Sequence, residues 1–254
     1  MDLFKGLITA LRTLSILPVP GKDAHDFSKS LYWFVLVGLL LGALLYAVTI
    51  GIYQGIGNQW PEASALLIVV LGIFLTRGMH LDGLADFADG FGGGFDRERT
   101  LAIMKDSSLG AFGVIALIIV LLAKWVVLAR LFELSGAIWI ISAYVISRTM
   151  HVDLMTTLPY ARQEGTAGPF TKNAGRRHRF FGLLQAVVIV YLLNGLAGVG
   201  ALIIIWSFTQ FFGLWCLKRV GGITGDLVGA CSEMTETLVL FLAVVDILVE
   251  SIYF

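Results

Sequence analysis

Seven runs of this chain, roughly 31–53, 62–81, 110–132, 136–157, 180–194, 196–217 and 228–250, consist largely of apolar residues. A helix needs about 20 such residues to cross a bilayer, and all but the fifth run approach that length. Composition agrees. Hydrophobic residues make up 57% of the chain, charged residues only 14%, and mean hydropathy is +0.86. A soluble domain carries about 25% charged residues. The expected fold is an all-α, polytopic membrane helix bundle, with about seven transmembrane helices in one domain spanning 1–254. The short fifth run reads as a half-span or as one limb of a tight hairpin turning at Asn194–Gly195. The N-terminal "MDLFKGLITALRTLSILPVPG" mixes Lys5 and Arg12 into its apolar positions and lacks a small-residue cleavage site. It reads as an amphipathic segment at the membrane surface, ended by Pro18 and Pro20. Cys216 and Cys231 form neither a disulfide framework nor a zinc pattern.

The loops carry an orientation signal, because Lys and Arg stay on the cytoplasmic side. Lys5, Arg12, Lys22 and Lys29 precede the first run, and 54–61 has no basic residue. Arg77, Arg97, Arg99 and Lys105 lie in the next loop, and the turn near 133–136 has none. Arg162, Lys172, Arg176, Arg177 and Arg179 follow, then a neutral turn near 194–196, then Lys218 and Arg219. The alternation implies a cytoplasmic N-terminus, an external C-terminus and a multi-pass protein of a bacterial inner membrane. Nearly all the polar chemistry falls on the cytoplasmic face.

That chemistry starts in "HLDGLADFADG", His80 to Gly90, with three aspartates in eleven residues. Asp82, Asp86 and Asp89 are spaced i, i+4, i+7, within about 60° of one another on a helix. If the second span continues through them, they line the negative end of its dipole and repel each other. Clustered carboxylates there call for a cation, and oxygen-only ligands suit Mg²⁺, with Mn²⁺ a second candidate. Asp82 and Asp89 are about 10 Å apart along the axis at about 1.5 Å per residue. Two ions, or one ion with a substrate phosphate, therefore fit better than one ion held by all three. A solvated acidic loop is the plain alternative. The glycines that follow, Gly92, Gly93 and Gly94, suit close backbone approach to a phosphate, or mark a helix end. Lys105 and Asp106 precede the next span and are placed to reach the same site, Asp106 as a further ligand or as the base.

A second acidic set lies in "GGITGDLVGACSEMTE": Asp226, Glu233 and Glu236, again on one helical face. Carboxylates inside a span are costly and are functional candidates. A second half-site for metal or substrate is the sharper reading, and a hydrogen-bonded structural pair the plainer one. Arg148 either holds a phosphate or pairs with a buried glutamate. His151 reads as packing. Tyr160 and Arg162, in the polar loop before the fifth run, are candidates for substrate contact. Arg176 to Arg179 suit topology and anionic lipid headgroups.

The stretches "HLDGLADFADGFGGGFDRERTLAIMKDSSLGAFG", "LPYAR", "GGITGDLVGACSEMTE" and "LPVPG" together resemble the cobalamin synthase family of adenosylcobinamide-GDP ribazoletransferases, in the right order over most of the chain. Phe87 and "SSLG" depart from that pattern, where a small or hydroxylic residue and a basic residue are expected. The resemblance implies a Mg²⁺-dependent membrane enzyme that joins α-ribazole, or α-ribazole 5′-phosphate, to adenosylcobinamide-GDP with release of GMP. The residue chemistry converges on the same reaction, and the expected site has metal at Asp82, Asp86 and Asp89, catalysis by Lys105, Asp106 and Glu233, and substrate contacts from Gly92, Gly93, Gly94, Arg148, Tyr160, Arg162, Asp226 and Glu236. Part of the motif, Asp86 to Gly90, is similar to that of CDP-alcohol phosphatidyltransferases, but Gly93-Gly94 stand where that family carries Ala-Arg.

Two other classes compete. A lipid-making phosphotransferase would release CMP. A cation transporter would place its acids near the bilayer midplane, and Glu233 and Glu236 are the residues that suit it. Gly38 and Gly42 suit helix contacts, within the chain, in an oligomer or in a complex with other pathway enzymes. Nothing suggests a nucleic-acid partner.

Overall fold

The computed structural model describes residues 2–56 and 59–253. Its elements are ten α-helices: α1 (Asp2–Leu14), α2 (Leu31–Ile56), α3 (Pro61–Leu75), α4 (Met79–Gly93), α5 (Arg97–Ile103), α6 (Ala111–Glu133), α7 (Trp139–Thr157), α8 (Gly168–Thr171), α9 (Arg176–Val220) and α10 (Gly225–Tyr253). A 3₁₀ turn, Phe27–Ser30, leads into α2. Among the described residues the extended backbone makes one isolated parallel bridge, Tyr160 with Ile223.

The bundle is built around α7. Every residue from Trp139 to Met155 is buried, as expected of a helix enclosed on all sides. Small residues let α2 lie backbone to backbone on it. A Cβ at Gly38 would come within 2.7 Å of the Tyr144 carbonyl oxygen, and one at Gly42 within 2.7 Å of Ile141 Cα. These two glycines therefore serve packing inside the chain. Helix α1 buries Gly6, Thr9, Ala10 and Leu14 and leaves Leu3 and Phe4 exposed, the amphipathic pattern read from the sequence. Arg12 bonds the carbonyl oxygens of Val19 and Gly21 and so folds the proline segment back along α1.

The 45-residue α9 breaks at Gly195, whose φ of 58° and ψ of −141° lie outside helical space. Asp153 Oδ1 accepts hydrogen bonds from Arg179 Nε at 2.7 Å and from Trp206 Nε1 at 3.2 Å. A straight helix would hold residues 179 and 206 about 40 Å apart at about 1.5 Å per residue. The limbs 176–194 and 196–220 are therefore antiparallel, which is the hairpin expected at Asn194–Gly195.

Among the described residues three helices are long and apolar enough to cross a membrane, Phe27–Gly55, Ala111–Glu133 and Arg176–Val220, or four if α3 and α4 form one broken span. The chain is an all-α membrane bundle, but length and composition of its helices do not reproduce a count of seven. One difference bears on the site. The second span does not carry the aspartates onward. Arg77 and Gly78 both adopt left-handed φ, 57° and 64°, and α4 leaves α3 at 89°. Asp82 thus sits in the first turn of a new helix, where the dipole favours a carboxylate, and not at the negative end of an old one.

Candidate active site

The two acidic motifs meet where α4 crosses α10. Gly83 makes the crossing possible. A Cβ there would lie 2.7 Å from the Asp226 carbonyl oxygen and 2.9 Å from its Cα. Gly229, one turn further along α10, rests in the same way on His80, with its Cβ position 3.2 Å from the histidine Cα. Asp82 and Asp86 flank Gly83 on α4, so the close approach carries both toward Asp226. Asp86 experiences Asp226, Asp82 and Asp89 as like charges and Arg162 as an opposing one.

Arg162 comes from the loop after α7. That loop is fixed by the bridge to the start of α10. The Ala161 N–H donates to the Ile223 carbonyl at 2.8 Å, and the Ile223 N–H to the Pro159 carbonyl at 2.9 Å. Gly222 (φ 152°) turns directly over the Pro159 carbonyl, a conformation that disfavours any side chain. Arg97, on α5, locks the arrangement by donating to the carbonyls of Val220 at 2.8 Å and Ala161 at 3.0 Å. Held this way, Arg162 Nη1 lies 2.9 Å from Asp226 Oδ2. Its Nε and Nη2 are buried and have no hydrogen-bond partner among the described residues. Burial raises the Asp226 carboxyl above the ordinary carboxylate range, with Arg162 acting in the opposite direction. An arginine with one donor on a carboxylate and two unpaired donors beside it can take a phosphate oxygen pair.

Asp89 is turned elsewhere. Its Oδ2 accepts the Gly110 N–H at 2.7 Å and its Oδ1 the Gly113 N–H at 2.9 Å. These are orphan donors at the start of α6, and a carboxylate there is favoured by the helix dipole. Among the described residues no three Asp, Glu, His or Cys side chains converge closely enough to hold a metal ion. Of the expected ligand trio of Asp82, Asp86 and Asp89, the structure sets Asp82 and Asp86 beside Asp226. Asp89 caps a neighbouring helix instead.

The expected glycine cradle lies at the end of a helix. Gly92 and Gly93 belong to α4, and Gly94 ends it. A Cβ on Gly92 would lie 2.7 Å from the Phe112 ring, and one on Gly94 would lie 2.7 Å from Thr100 Cα. Arg219 Nη2 takes the Gly94 carbonyl. These glycines close α4 against α5 and α6. Lys105 and Asp106 are exposed. Asp106 accepts the Ser108 N–H at 2.9 Å and borders an open cleft with Asp89 and Arg99, not the cavity at Asp82 and Asp226. Tyr160 has its hydroxyl buried under the Gly165 turn, facing the backbone amides of Ala167 and Gly168. Phe87 packs with Phe91, Phe212 and Trp215, tying α4 to the second limb of α9.

Glu233, Glu236 and Arg148 form a separate group. Lys124 Nζ reaches Glu233 Oε2 at 2.6 Å and Glu236 Oε2 at 2.8 Å, and Arg148 Nη1 reaches Glu236 Oε1 at 2.7 Å. Arg148 is fully buried and also donates to the hydroxyls of Ser147 and Ser232. Two cations face two anions inside the bundle. This arrangement is the structural pairing, the plainer of the two readings of Glu233 and Glu236 and one of the two readings of Arg148, whose Nε and Nη2 are buried without a hydrogen-bond partner among the described residues. Lys124, a charge at mid-helix, was the sequence signal for it.

One side chain at the acid crossing was not singled out from sequence. His80 opens the aspartate motif and lines the cavity that Asp82 and Asp226 border. The signal was its place at the head of the motif, two residues before Asp82.

Residues 6–244 match the model of a family described as cobalamin-5-phosphate synthase. The adenosylcobinamide-GDP ribazoletransferase of Chlorobaculum parvum is 46% identical over 245 residues, 95% of each chain. That of Prosthecochloris aestuarii is 48% identical over 238 residues, 92% of this chain and 95% of the relative. That of Syntrophobacter fumaroxidans is 38% identical over 241 residues, 94% and 93% of the two chains. No solved structure matches the chain.

Proposed function

The chain belongs to the cobalamin-5-phosphate synthase family, and from that premise we propose how its residues carry out the reaction named for its relatives. The enzyme is an adenosylcobinamide-GDP ribazoletransferase. It acts in cobalamin nucleotide-loop synthesis. A ribose hydroxyl of α-ribazole, or of α-ribazole 5′-phosphate, attacks the cobinamide-linked phosphorus of adenosylcobinamide-GDP. The new P–O bond forms as the bond to the GMP oxygen breaks, and GMP leaves with that electron pair.

The observation that carries this reading is the α4–α10 crossing. It puts Asp82, Asp86 and Asp226 beside Arg162, whose Nε and Nη2 are unpaired. Arg162 holds the pyrophosphate through those donors. Asp226 takes the hydroxyl proton, for which a carboxyl raised by burial is suited. As Arg162 turns to the phosphate, Asp226 gains proton affinity. Asp82 and Asp86 are oxygen donors that make no salt bridge among the described residues and fit one Mg²⁺, or Mn²⁺, which is commonly held by one or two carboxylates together with substrate phosphates and water. When bound, that ion neutralises charge on the transferring and leaving phosphates.

The Lys and Arg alternation along the loops supports a bacterial inner membrane location, with this site facing the cytoplasm. Arg176 and Arg177, both exposed at the start of α9, suit anionic lipid. The transporter alternative loses its support here. Glu233 and Glu236, the acids that suited it, are paired with Lys124 and Arg148.

The test is product release from purified protein given adenosylcobinamide-GDP, α-ribazole and Mg²⁺. GMP should appear one-for-one with ribazole consumed. CMP release from a CDP-alcohol, with no GMP from adenosylcobinamide-GDP, would overturn the assignment.

A further inference from the structure

Behind Asp82 and Asp226 lies a cavity of about 240 Å³ between α1, α2, α4, α7 and α10. Whole drug-sized ligands occupy roughly 300–1,000 Å³, so this space suits one end of a substrate with the rest outside. Its walls include Leu14, Phe34, Met79, Met155, Phe170 and Val228. His80 and His151 also line it. Their rings sit edge to face with centroids 5.1 Å apart, and Phe34 continues the row, its centroid 6.3 Å from that of His151.

The two histidines are anomalous as core residues. They are only 3% and 1% exposed, yet all four ring nitrogens lack a hydrogen-bond partner among the described residues. A buried polar group left unpaired costs about 1–3 kcal/mol, and native interiors leave few of them. A pair of such groups lining an apolar cavity is the pattern of a ligand subsite: mostly apolar walls with a few polar atoms that fix orientation. A neutral imidazole offers one N–H donor and one acceptor.

We propose that this cavity receives the base of the attacking nucleoside, a flat, largely apolar bicyclic heteroaromatic ring, with His80 and His151 binding its in-plane nitrogen. The inference rests on the transferase reading above. Attacking and leaving groups lie roughly in line across phosphorus. Asp226, the proton acceptor for the attacking hydroxyl, borders this cavity, so the cavity belongs to the attacking partner and not to the departing guanosine. The aromatic walls cover the ring faces, and the ribose sits at the mouth between Asp82 and Asp226. Guanine, with donors and acceptors along two edges, would leave several of them against phenylalanine and methionine.

Two measurements test this. In the first, free 5,6-dimethylbenzimidazole and, separately, guanosine are added to the wild-type reaction. The free base should compete with α-ribazole and not with adenosylcobinamide-GDP. Competition by guanosine in its place would overturn the proposal. His80→Leu and His151→Leu should raise KM for α-ribazole about tenfold and leave KM for adenosylcobinamide-GDP within twofold. His80→Asn, which keeps a donor and an acceptor, should recover part of the loss. An equal rise in both KM values would count against it. The second measurement is equilibrium dialysis of the free base with wild-type protein, which needs neither turnover nor a variant that folds. Absence of saturable binding would sink the proposal whether or not GMP is released. Absence of GMP release with binding intact would sink the transferase reading alone.

Discussion

Arg162 Nη1 and Asp226 Oδ2 are 2.9 Å apart, although Arg162 lies in the loop after α7, Asp226 lies in the first turn of α10, and 64 positions separate them in the chain. The pair joins the one polar loop that looked ready for substrate to the second acidic motif. Arg162 keeps two donors unpaired. Arg162→Ala should cut turnover by about 10²–10³-fold, the usual cost of losing a donor to transition-state charge. Arg162→Lys should restore little, because an ammonium lacks the planar fork. Steady-state GMP release measures this. Full activity in Arg162→Ala would remove the residue from the site.

Asp86→Asn should leave a folded protein that is almost inactive. Loss of one charge relieves repulsion from Asp82, Asp89 and Asp226. The melting temperature without metal should therefore hold or rise. The added stability given by Mg²⁺, which follows from binding to the folded state only, should shrink. Thermal unfolding in detergent, with and without Mg²⁺, reads both effects. A variant destabilised without metal would make Asp86 a structural residue.

Asp89→Ala should behave in the opposite way. It strips two charge-assisted hydrogen bonds from the start of α6, and unpaired amides there cost about 1–3 kcal/mol each if water cannot replace the carboxylate. The melting temperature should fall, while the Mg²⁺ concentration for half-maximal activity stays within twofold of wild type. A large rise in that concentration would return Asp89 to the metal.

Lys124→Met should be among the most damaging changes outside the site, about 3–5 kcal/mol, because it leaves Glu233 and Glu236 buried with too little positive charge. Adding Glu233→Gln should recover most of that loss, as expected for side chains that share one network. Glu233→Gln alone unbalances the cluster the other way and should lower stability while sparing the turnover of the protein that folds. Calorimetry on the two single variants and the double variant tests this. Additive losses would dissolve the cluster as an energetic unit.

Much of the architecture could be read from residues. The apolar runs located α2, α6 and the α9 hairpin, and Gly195 was legible as its turn. The meeting of the two acidic motifs was only partly legible. Helical spacing placed Asp82, Asp86 and Asp89 on one stripe but could not show that Arg77 and Gly78 start a new helix at 89°. That turn reverses the dipole argument for Asp82. Spacing alone also gave no way to tell that Asp89 finds its partners on α6, 21 and 24 residues away. Gly92 to Gly94 resemble a phosphate loop in composition, since close packing and phosphate binding both demand a missing Cβ. Pairing of Arg148 with a buried glutamate was one of two readings of the sequence, but spacing could not bring Lys124 on α6 to Glu233 and Glu236 on α10.

GMP release by wild type and Asp226→Asn, assayed together with adenosylcobinamide-GDP, α-ribazole and Mg²⁺, tests the central claim most directly. Asn keeps the shape of Asp226 and removes both its proton affinity and its charge toward Arg162. Wild type should release GMP only when ribazole is present. Asp226→Asn should fold, melt within a few degrees of wild type, and release GMP at least about 10²-fold more slowly. Wild-type rates from Asp226→Asn would contradict the placement of the reaction at the α4–α10 crossing.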